Sequence, residues 1–131
     1  MEKKVSEGYF KHWNLDGLQK TWYETGELKS ESHFKNGLLH GKSITWHKNG
    51  QRKSEGTYNS NVYMPDGTRV KVYMSDGSFQ PKSALEGPFN EWHENGTLKK
   101  SGLYLNGMKH YTWVEWNDKG EEIKREWNHV F

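Results

Sequence analysis

The chain has 131 residues, of which 31% are hydrophobic and 27% charged, with a formal net charge of +2 and a mean hydropathy of −1.15. This length allows one domain at most, and the charge balance is too weak to predict a nucleic-acid partner. The lack of cysteine excludes a disulfide framework and a thiolate metal site.

The low mean hydropathy alone would suggest disorder, but the sequence is 15% aromatic and the aromatic residues are periodic. This combination predicts a thin fold with one buried face. The first part of the chain holds no apolar run that resembles a signal peptide, and no stretch is apolar enough to span a bilayer. We therefore expect a cytoplasmic protein.

A tryptophan recurs along the chain in the pattern W-x-x-x-G. The spacings between the four copies are 24, 46 and 24 residues, so the middle gap is close to two periods. The copies begin at Trp22, Trp46, Trp92 and Trp116. A fixed period of this length indicates stacked supersecondary units.

Two further signatures share this period. A short segment that ends in Phe or Tyr follows the first three tryptophan motifs, and one more copy precedes Trp22. A glycine precedes three of the tryptophans by five residues. The segments are Glu7–Phe10, Glu31–Phe34, Glu55–Tyr58 and Ser101–Tyr104, and the glycines are Gly17, Gly41 and Gly87.

Turn signals divide the chain into short pieces. Asn-Gly and Asp-Gly pairs favour two-residue hairpin turns because both residues tolerate a positive φ. These pairs begin at Asp16, Asn36, Asn49, Asp66, Asp76, Asn95 and Asn106. The segments between glycines are too short for several helical turns, so the sequence predicts β-strands.

Period-2 alternation assigns the strand residues to two faces. We predict that the motif tryptophans share the packed face with Leu28, Phe34, Ile44, Leu98, Tyr104 and Val114. We predict that the opposite face is solvated and carries Lys29, Glu31, Lys53, Glu55, Lys99 and Ser101.

The predicted fold is all-β: an elongated, twisted, single-layer antiparallel sheet of consecutive hairpins, with roughly 10–12 strands. The predicted organisation is one repeat domain over residues 1–131. Its repeat units cover about 7–58 and 87–127, with diverged or inserted hairpins at 59–86.

Catalytic and metal sites are not expected. His47 and His93 hold the same repeat position, where neighbouring units keep them apart, so we expect structural or surface roles. No H-E-x-x-H or G-x-S-x-G spacing is present. Glu31 and Glu55 are expected to pair with Lys29 and Lys53 across strands. We predict a protein that is not an enzyme and has no cofactor.

A row of lysines recurs along one predicted face, at Lys29, Lys53, Lys99 and Lys124. Interleaved glutamates would quench much of its field, so we expect no specific nucleic-acid binding. A solvated face explains this row without any ligand.

Residues 59–86 interrupt the repeat. They contain two near-copies, Tyr63–Gly67 and Tyr73–Gly77, and we interpret them either as a degenerate repeat or as an element that contacts a partner. Tyr and Met are common at protein interfaces, and preceding basic residues would steer association. The predicted partner-binding residues are Arg52, Lys53, Tyr63, Met64, Arg69, Lys71, Tyr73 and Met74.

The segment Trp22–Gly50, with residues 51–58 after it, resembles the MORN-variant repeats of bacterial antitoxin-like proteins, where MORN stands for membrane occupation and recognition nexus. The similarity covers residues 7–58 and 87–120. It implies an elongated, twisted sheet of hairpins, in a family whose members include predicted antitoxins and immunity proteins. Eukaryotic MORN repeats are linked to membranes and to scaffolding.

Two functional hypotheses follow. The first is a non-catalytic protein-binding module, such as an antitoxin, an immunity protein or an inhibitor that neutralises a toxin or effector. The alternative is a peripheral membrane or scaffold protein that acts through its repeats. Lysine clusters without interleaved acids would favour lipid, and the sequence has none, so we expect no membrane binding. The two open edges of the sheet offer a route to oligomers.

Overall fold

The computed structural model describes residues 6–11, 14–60, 71–73, 79–81 and 83–128, and all the regular structure in them is β. The strands are β1 (Ser6–Lys11), β2 (Asn14–Trp22), β3 (Leu28–Lys35), β4 (Leu38–Trp46), β5 (Arg52–Asn59), β6 (Lys71–Tyr73), β7 (Phe79–Pro81), β8 (Ala84–Leu85), β9 (Gly87–Trp92), β10 (Leu98–Leu105), β11 (Met108–Trp116) and β12 (Glu122–Asn128). Within these ranges there is no helix of a length and apolarity that would cross a membrane.

The strands form one open antiparallel meander. Its order is β1-β2-β3-β4-β5-β9-β10-β11-β12, and the short strand β8 pairs with the end of β5. β6 and β7 form a separate two-stranded sheet. The predicted fold, an all-β sheet of consecutive hairpins, is confirmed.

Two kinds of turn alternate along the chain. Asn36-Gly37 and Asn106-Gly107 have positive φ at both residues, as the sequence predicts for two-residue hairpins. The tryptophan motifs make a different turn: the Gly50 N–H donates to the His47 carbonyl, and the His47 N–H donates to the Gln51 carbonyl. Only the glycine has positive φ there, which is a type I turn closed by a glycine bulge.

The prediction of two-residue turns at Asn49-Gly50 and Asn95-Gly96 is therefore wrong, because the three-residue loop needs positive φ at the glycine alone. The prediction of a turn at Asp16-Gly17 is also wrong, since both residues lie inside β2. The pairs that begin at Asp66 and Asp76 fall outside the described residues.

Three of the four motif tryptophans are preceded, five residues earlier, by a glycine of positive φ, and two of these glycines lie at a bulge inside a strand. Gly17, Gly41 and Gly87 have φ of 99°, 104° and 101°. The pairing register shifts close to Gly17 and Gly41, on the side of the preceding strand. In the last unit Tyr111 takes this position with φ of 61°, a conformation that costs a residue with a Cβ some strain.

The most buried part of the sheet lies in its C-terminal half. Trp113 is 2% exposed and packs edge-on against Tyr104 at a centroid distance of 4.7 Å, while Phe89 lies 6.1 Å from Trp113. Gly102 and Gly56 lie on the same face, beneath Trp113 and Phe89 respectively. We call this the aromatic face.

The predicted division into faces is partly wrong. Tyr104 lies on the aromatic face as predicted, but Ile44 is the cross-strand partner of Glu31 and Glu55, which places it on the opposite face. Val114 likewise pairs with Ser101. Moreover, the motif tryptophans are only half-buried, and Trp113 is the fully buried one. Register shifts in every repeat change the alternation, so simple period-2 counting fails across them.

Candidate protein-binding surface

A ladder of side-chain hydrogen bonds joins successive tryptophan turns. The Tyr23 hydroxyl donates to the Trp46 carbonyl at 2.6 Å. His47 and His93, at the equivalent position, contact the carbonyls of Trp92 and Trp116 through Nε2 at 2.8 Å. A carbonyl only accepts, so Nε2 is the donor in each of these bonds. These histidines therefore hold neighbouring units together, as the sequence predicts for a structural role.

Asparagines form a second ladder along the tryptophan turns, at the same ends of the strands. The Asn49 Nδ2 donates to the Glu94 carbonyl, and the Asn95 Nδ2 donates to the Asp118 carbonyl, both at 2.6 Å. The two asparagines hold the same position of the W-x-x-x-G turn. Their oxygens also accept the backbone N–H two residues later. These asparagines thus bond to the next unit, and their own φ is not positive.

A third series of bonds runs along the other ends of the strands, away from the tryptophan turns. The residue six positions before each motif tryptophan accepts a backbone N–H twenty residues later. The three pairs are Asp16 Oδ1 with the Asn36 N–H at 3.3 Å, His40 Nδ1 with the Ser60 N–H at 3.3 Å, and Glu86 Oε2 with the Asn106 N–H at 2.7 Å. His110 is the equivalent residue in the last unit.

The repeat continues directly across the interruption. β5 pairs with β9, and the ladder bond from His47 to Trp92 spans the gap in the sequence. The interrupting segment includes the separate β6–β7 hairpin. Among the described residues, no strand lies between β5 and β9. We call residues 61–82 the insertion, and its role as a partner-contacting element remains a prediction.

Only some of the predicted contact residues lie in the described part of the chain. Lys71 and Tyr73 begin and end β6, opposite Pro81 and Phe79. Tyr63, Met64, Arg69 and Met74 lie outside the described residues. The predicted contact role of all six remains a prediction.

Arg52 and Lys53 lie at the start of β5, and the chain enters the insertion at the other end of this strand. The two ends of β5 are roughly 20 Å apart along an extended strand. Arg52 donates to the Glu55 carboxylate at 2.7 Å, and Lys53 is exposed. The predicted contact role of Arg52 and Lys53 also remains a prediction.

A cleft opens at the base of the insertion. It has a volume of about 390 Å³ and lies between the end of β5, β8 and the β10–β11 turn. Its lining residues are Tyr58, Ser83, Ala84, Leu85, Asn106, Gly107 and Met108. The Gly107 N–H donates to the Leu85 carbonyl at 2.9 Å, which fixes the cleft walls relative to each other. We call this the insertion cleft.

The insertion cleft combines apolar and polar groups. Ala84 forms a buried wall, and Met108, 63% exposed, forms the rim. The Ser83 hydroxyl is buried with no hydrogen-bond partner among the described residues. An exposed Met beside an apolar wall is suited to contact a polypeptide segment. The sequence did not predict this cleft, because nothing in the repeat pattern marks its lining residues as neighbours in space.

Several charged side chains form ion pairs across or along the strands. Glu55 contacts Lys42 and Arg52, each at 2.7 Å, instead of the predicted Lys53. The Lys42 hydrogen bond lowers the pKa of Glu55, with a smaller contribution from Arg52, and partial burial opposes the shift. These contacts bridge β4 and β5 and are structural.

The predicted row of four lysines has three members. Lys29, Lys53 and Lys99 are exposed at one repeat position. Ile123 takes that position in the last unit. Lys124 corresponds to Lys100 instead and lies 3.8 Å from Glu115 and 3.5 Å from Glu126. The row therefore stops before the last strand.

No group of three or more histidine, aspartate or glutamate side chains lies close enough to hold a metal ion in the described ranges. Histidine nitrogens instead contact backbone or serine groups: His33 contacts the Lys42 carbonyl at 3.0 Å, and His40 contacts Ser60 Oγ at 2.9 Å.

The geometry defines an antiparallel hairpin-repeat protein with an insertion between repeats. The family model of the MORN repeat variant matches residues 15–36, 39–60 and 85–106, which is just over half of the chain. The chain belongs to this family. The matched segments stop at residue 60 and resume at 85, so they leave the insertion out. No curated protein matches the chain.

Proposed function

We propose that this chain is a non-catalytic module that binds a protein partner through the insertion and the insertion cleft. MORN repeats are consistent with such a role. One observation carries the proposal: the sheet and its ladder of bonds pass from β5 to β9 without using residues 61–82. A segment that the scaffold does not need is free to serve recognition.

The environment of the histidines supports a non-catalytic role. In His33, His40, His47 and His93, one ring nitrogen contacts a carbonyl or a serine of the sheet. A ring nitrogen that bonds to the sheet is not available to take a substrate proton.

The finer role is that of an antitoxin, an immunity protein or another inhibitor that neutralises its partner in the cytoplasm. It rests on the sequence resemblance and on the small size of the chain. The product of the adjacent gene is the partner to test first, since a toxin and its neutralising protein form a gene pair in the family that the chain resembles.

The alternative role, a membrane or scaffold protein, has less support. A polybasic surface binds anionic lipid when its charges are unpaired. Here Lys42, Lys100, Lys109 and Lys124 each lie within 4 Å of a glutamate. The three exposed lysines of the row are spread over separate strands.

Deletion of the insertion tests partner binding separately from folding. Asn59 and Ala84 are cross-strand partners, so residues 61–82 can be replaced by an Asn-Gly turn like the one between β3 and β4. We expect the shortened chain to keep its β-sheet spectrum and to lose at least tenfold in affinity for the adjacent gene product, measured by calorimetry. Full affinity in the folded, shortened chain would refute the proposed surface.

Point variants give an independent test. Tyr63→Ala combined with Tyr73→Ala should weaken binding by more than about 2 kcal/mol, as for aromatic hot spots. Met108→Asp should also weaken it, because a charge would enter the apolar rim of the insertion cleft. Tyr9→Asp is the matched control, since Tyr9 is similarly exposed but lies on β1. Strong destabilisation by the double tyrosine variant would show that these residues belong to the fold instead.

A further inference from the structure

The strand β12 exposes large apolar side chains at an edge of the sheet. Ile123 is 66% exposed and Trp127 60%, and the Tyr111 ring lies 6.2 Å from that of Trp127. On its outer side β12 has no strand partner within the described ranges. Exposed apolar side chains beside unpaired backbone groups form a template for another strand.

Strand direction restricts what can continue the sheet. The described path contains nine antiparallel strands, so β1 and β12 run in the same direction. Suppose that a second copy placed its β1 beside β12, with the aromatic faces of both copies on the same side of the joined sheet. The two strands would then be parallel. A second β12, related by a two-fold axis perpendicular to the sheet, pairs antiparallel with both aromatic faces on one side.

The sequence of β12 is complementary to itself in one antiparallel register. When Arg125 lies on the two-fold axis, Lys124 faces Glu126 of the second copy, and Ile123 faces Trp127. Because of the two-fold symmetry, each of these two pairings occurs twice in the dimer. Opposite charges and large apolar residues are favourable cross-strand pairs in a sheet.

The side-chain directions in the structure agree with this register. Lys124 and Glu126 lie on the aromatic face, as the cross-strand partners of Glu115 and Trp113. Arg125 and Trp127 lie on the other face, so the Lys124–Glu126 pairing joins residues of one face, whereas Ile123 lies at a register shift in β12. The contact between the two Arg125 side chains is the one unfavourable pair. Glu122 offsets it within each chain, at 2.6 and 3.1 Å from the guanidinium.

We propose that this chain forms a two-fold symmetric dimer through antiparallel pairing of β12, with Arg125 at the axis. The two seven-residue strands bury less surface than the roughly 1,200–2,000 Å² of a stable interface, so the dimer is reversible with a Kd in the micromolar range.

Cross-linking tests the register directly. The natural chain has no cysteine, so each variant carries one thiol. Arg125→Cys places two Cα atoms about 4.5–5.5 Å apart across the axis, within the range of a disulfide. Glu122→Cys, its control, places them roughly 20 Å apart. Under mild oxidation we expect a covalent dimer from Arg125→Cys at least tenfold faster than from Glu122→Cys. Equal rates would overturn the register.

Charge complementation is a second test of the register. Lys124→Glu puts acid against acid across the axis, and Glu126→Lys puts base against base, so each variant alone should be monomeric. Mixing the two restores two opposite-charge pairs, and we expect a heterodimer in sedimentation velocity. Circular dichroism establishes that each variant is folded. Wild-type self-association in either variant, or no heterodimer from two folded variants, would overturn the proposal.

Apolar variants locate the interface. Trp127→Lys should weaken dimerisation at least tenfold, whereas Tyr9→Lys on β1 should not change it. Sedimentation of the natural chain as a monomer up to about 500 µM would overturn the proposal, given the expected micromolar Kd. Assemblies larger than a dimer, or a dimer lost only in Tyr9→Lys, would also overturn it.

Discussion

Trp113 lies so close over Gly102 that a Cβ added to this glycine would stand 2.1 Å from Cδ2 of the indole. The indole also donates from Nε1 to the Leu103 carbonyl at 3.1 Å, and the Lys109 ammonium lies 4.9 Å from its ring centroid. The buried tryptophan is thus held on both sides, and only a glycine fits beneath it.

We predict that Gly102→Ala lowers the free energy of unfolding by about 1–3 kcal/mol, because overpacking forces the indole out of place. Trp113→Ala alone should cost about 3–5 kcal/mol. In the Trp113→Ala background, Gly102→Ala should cost much less, since the clash is gone. Urea denaturation of the four proteins measures this coupling. Additive effects would show that the ring does not restrict position 102.

Backbone strain differs between two equivalent positions. Gly87 has φ of 101° with open space where a Cβ would lie, so Gly87→Ala should destabilise through the backbone alone, by about 1 kcal/mol or more. Tyr111 holds the equivalent position with φ of 61°. We expect Tyr111→Gly to raise the melting temperature by a few degrees, by relief of strain. A lower melting temperature would mean that its contact with Trp127 outweighs the strain.

The ladder at the tryptophan turns should contribute measurably to stability. Tyr23→Phe removes the hydroxyl that donates to the Trp46 carbonyl and keeps the ring. We expect a loss of about 1 kcal/mol in the free energy of unfolding. Tyr9→Phe is the control, because Tyr9 is largely exposed. Equal effects of the two variants in chemical denaturation would argue against the ladder.

Acid should weaken the contact between β4 and β5. The Lys42 hydrogen bond, with a smaller contribution from Arg52, lowers the pKa of Glu55 below its usual 4.5, so the folded state favours the charged carboxylate. This contribution is fully present above the unfolded pKa and is lost as pH falls through the lower folded value. Its size is about 1 kcal/mol or less, since Lys42 and Arg52 are half exposed.

Glu55→Gln tests this contribution. The variant should be less stable than the natural chain at neutral pH, and the difference should shrink as pH falls below about 4.5, the usual pKa of a glutamate. Glu24→Gln, at an exposed turn residue, controls for the change in net charge. A difference that is constant from pH 7 to strong acid would exclude the ion pair as its cause.

The repeat, the β-strands and the all-β class of fold could be predicted from the sequence alone. Asn-Gly and Trp-x-x-x-Gly turns at a fixed period leave only short segments, and these can satisfy their backbone groups only by pairing with the next segment. The repeat position of His47 and His93 already indicated a structural role. Alignment of the repeats would also have placed Trp113 at the position of Phe89, where the core is thickest.

Tertiary structure decided what depends on register and distance. Bulges at the glycine and tryptophan positions shift the alternation, so Ile44 and Val114 lie on the face opposite to the one that period-2 counting assigns. Glu55 selects Lys42 because a cross-strand neighbour is closer than the sequence neighbour Lys53. Whether 59–86 continues the sheet depends on pairing of β5 with β9, a contact between segments far apart in sequence. Such long-range pairing has no local signal, because the free energy that selects it comes from the assembled sheet.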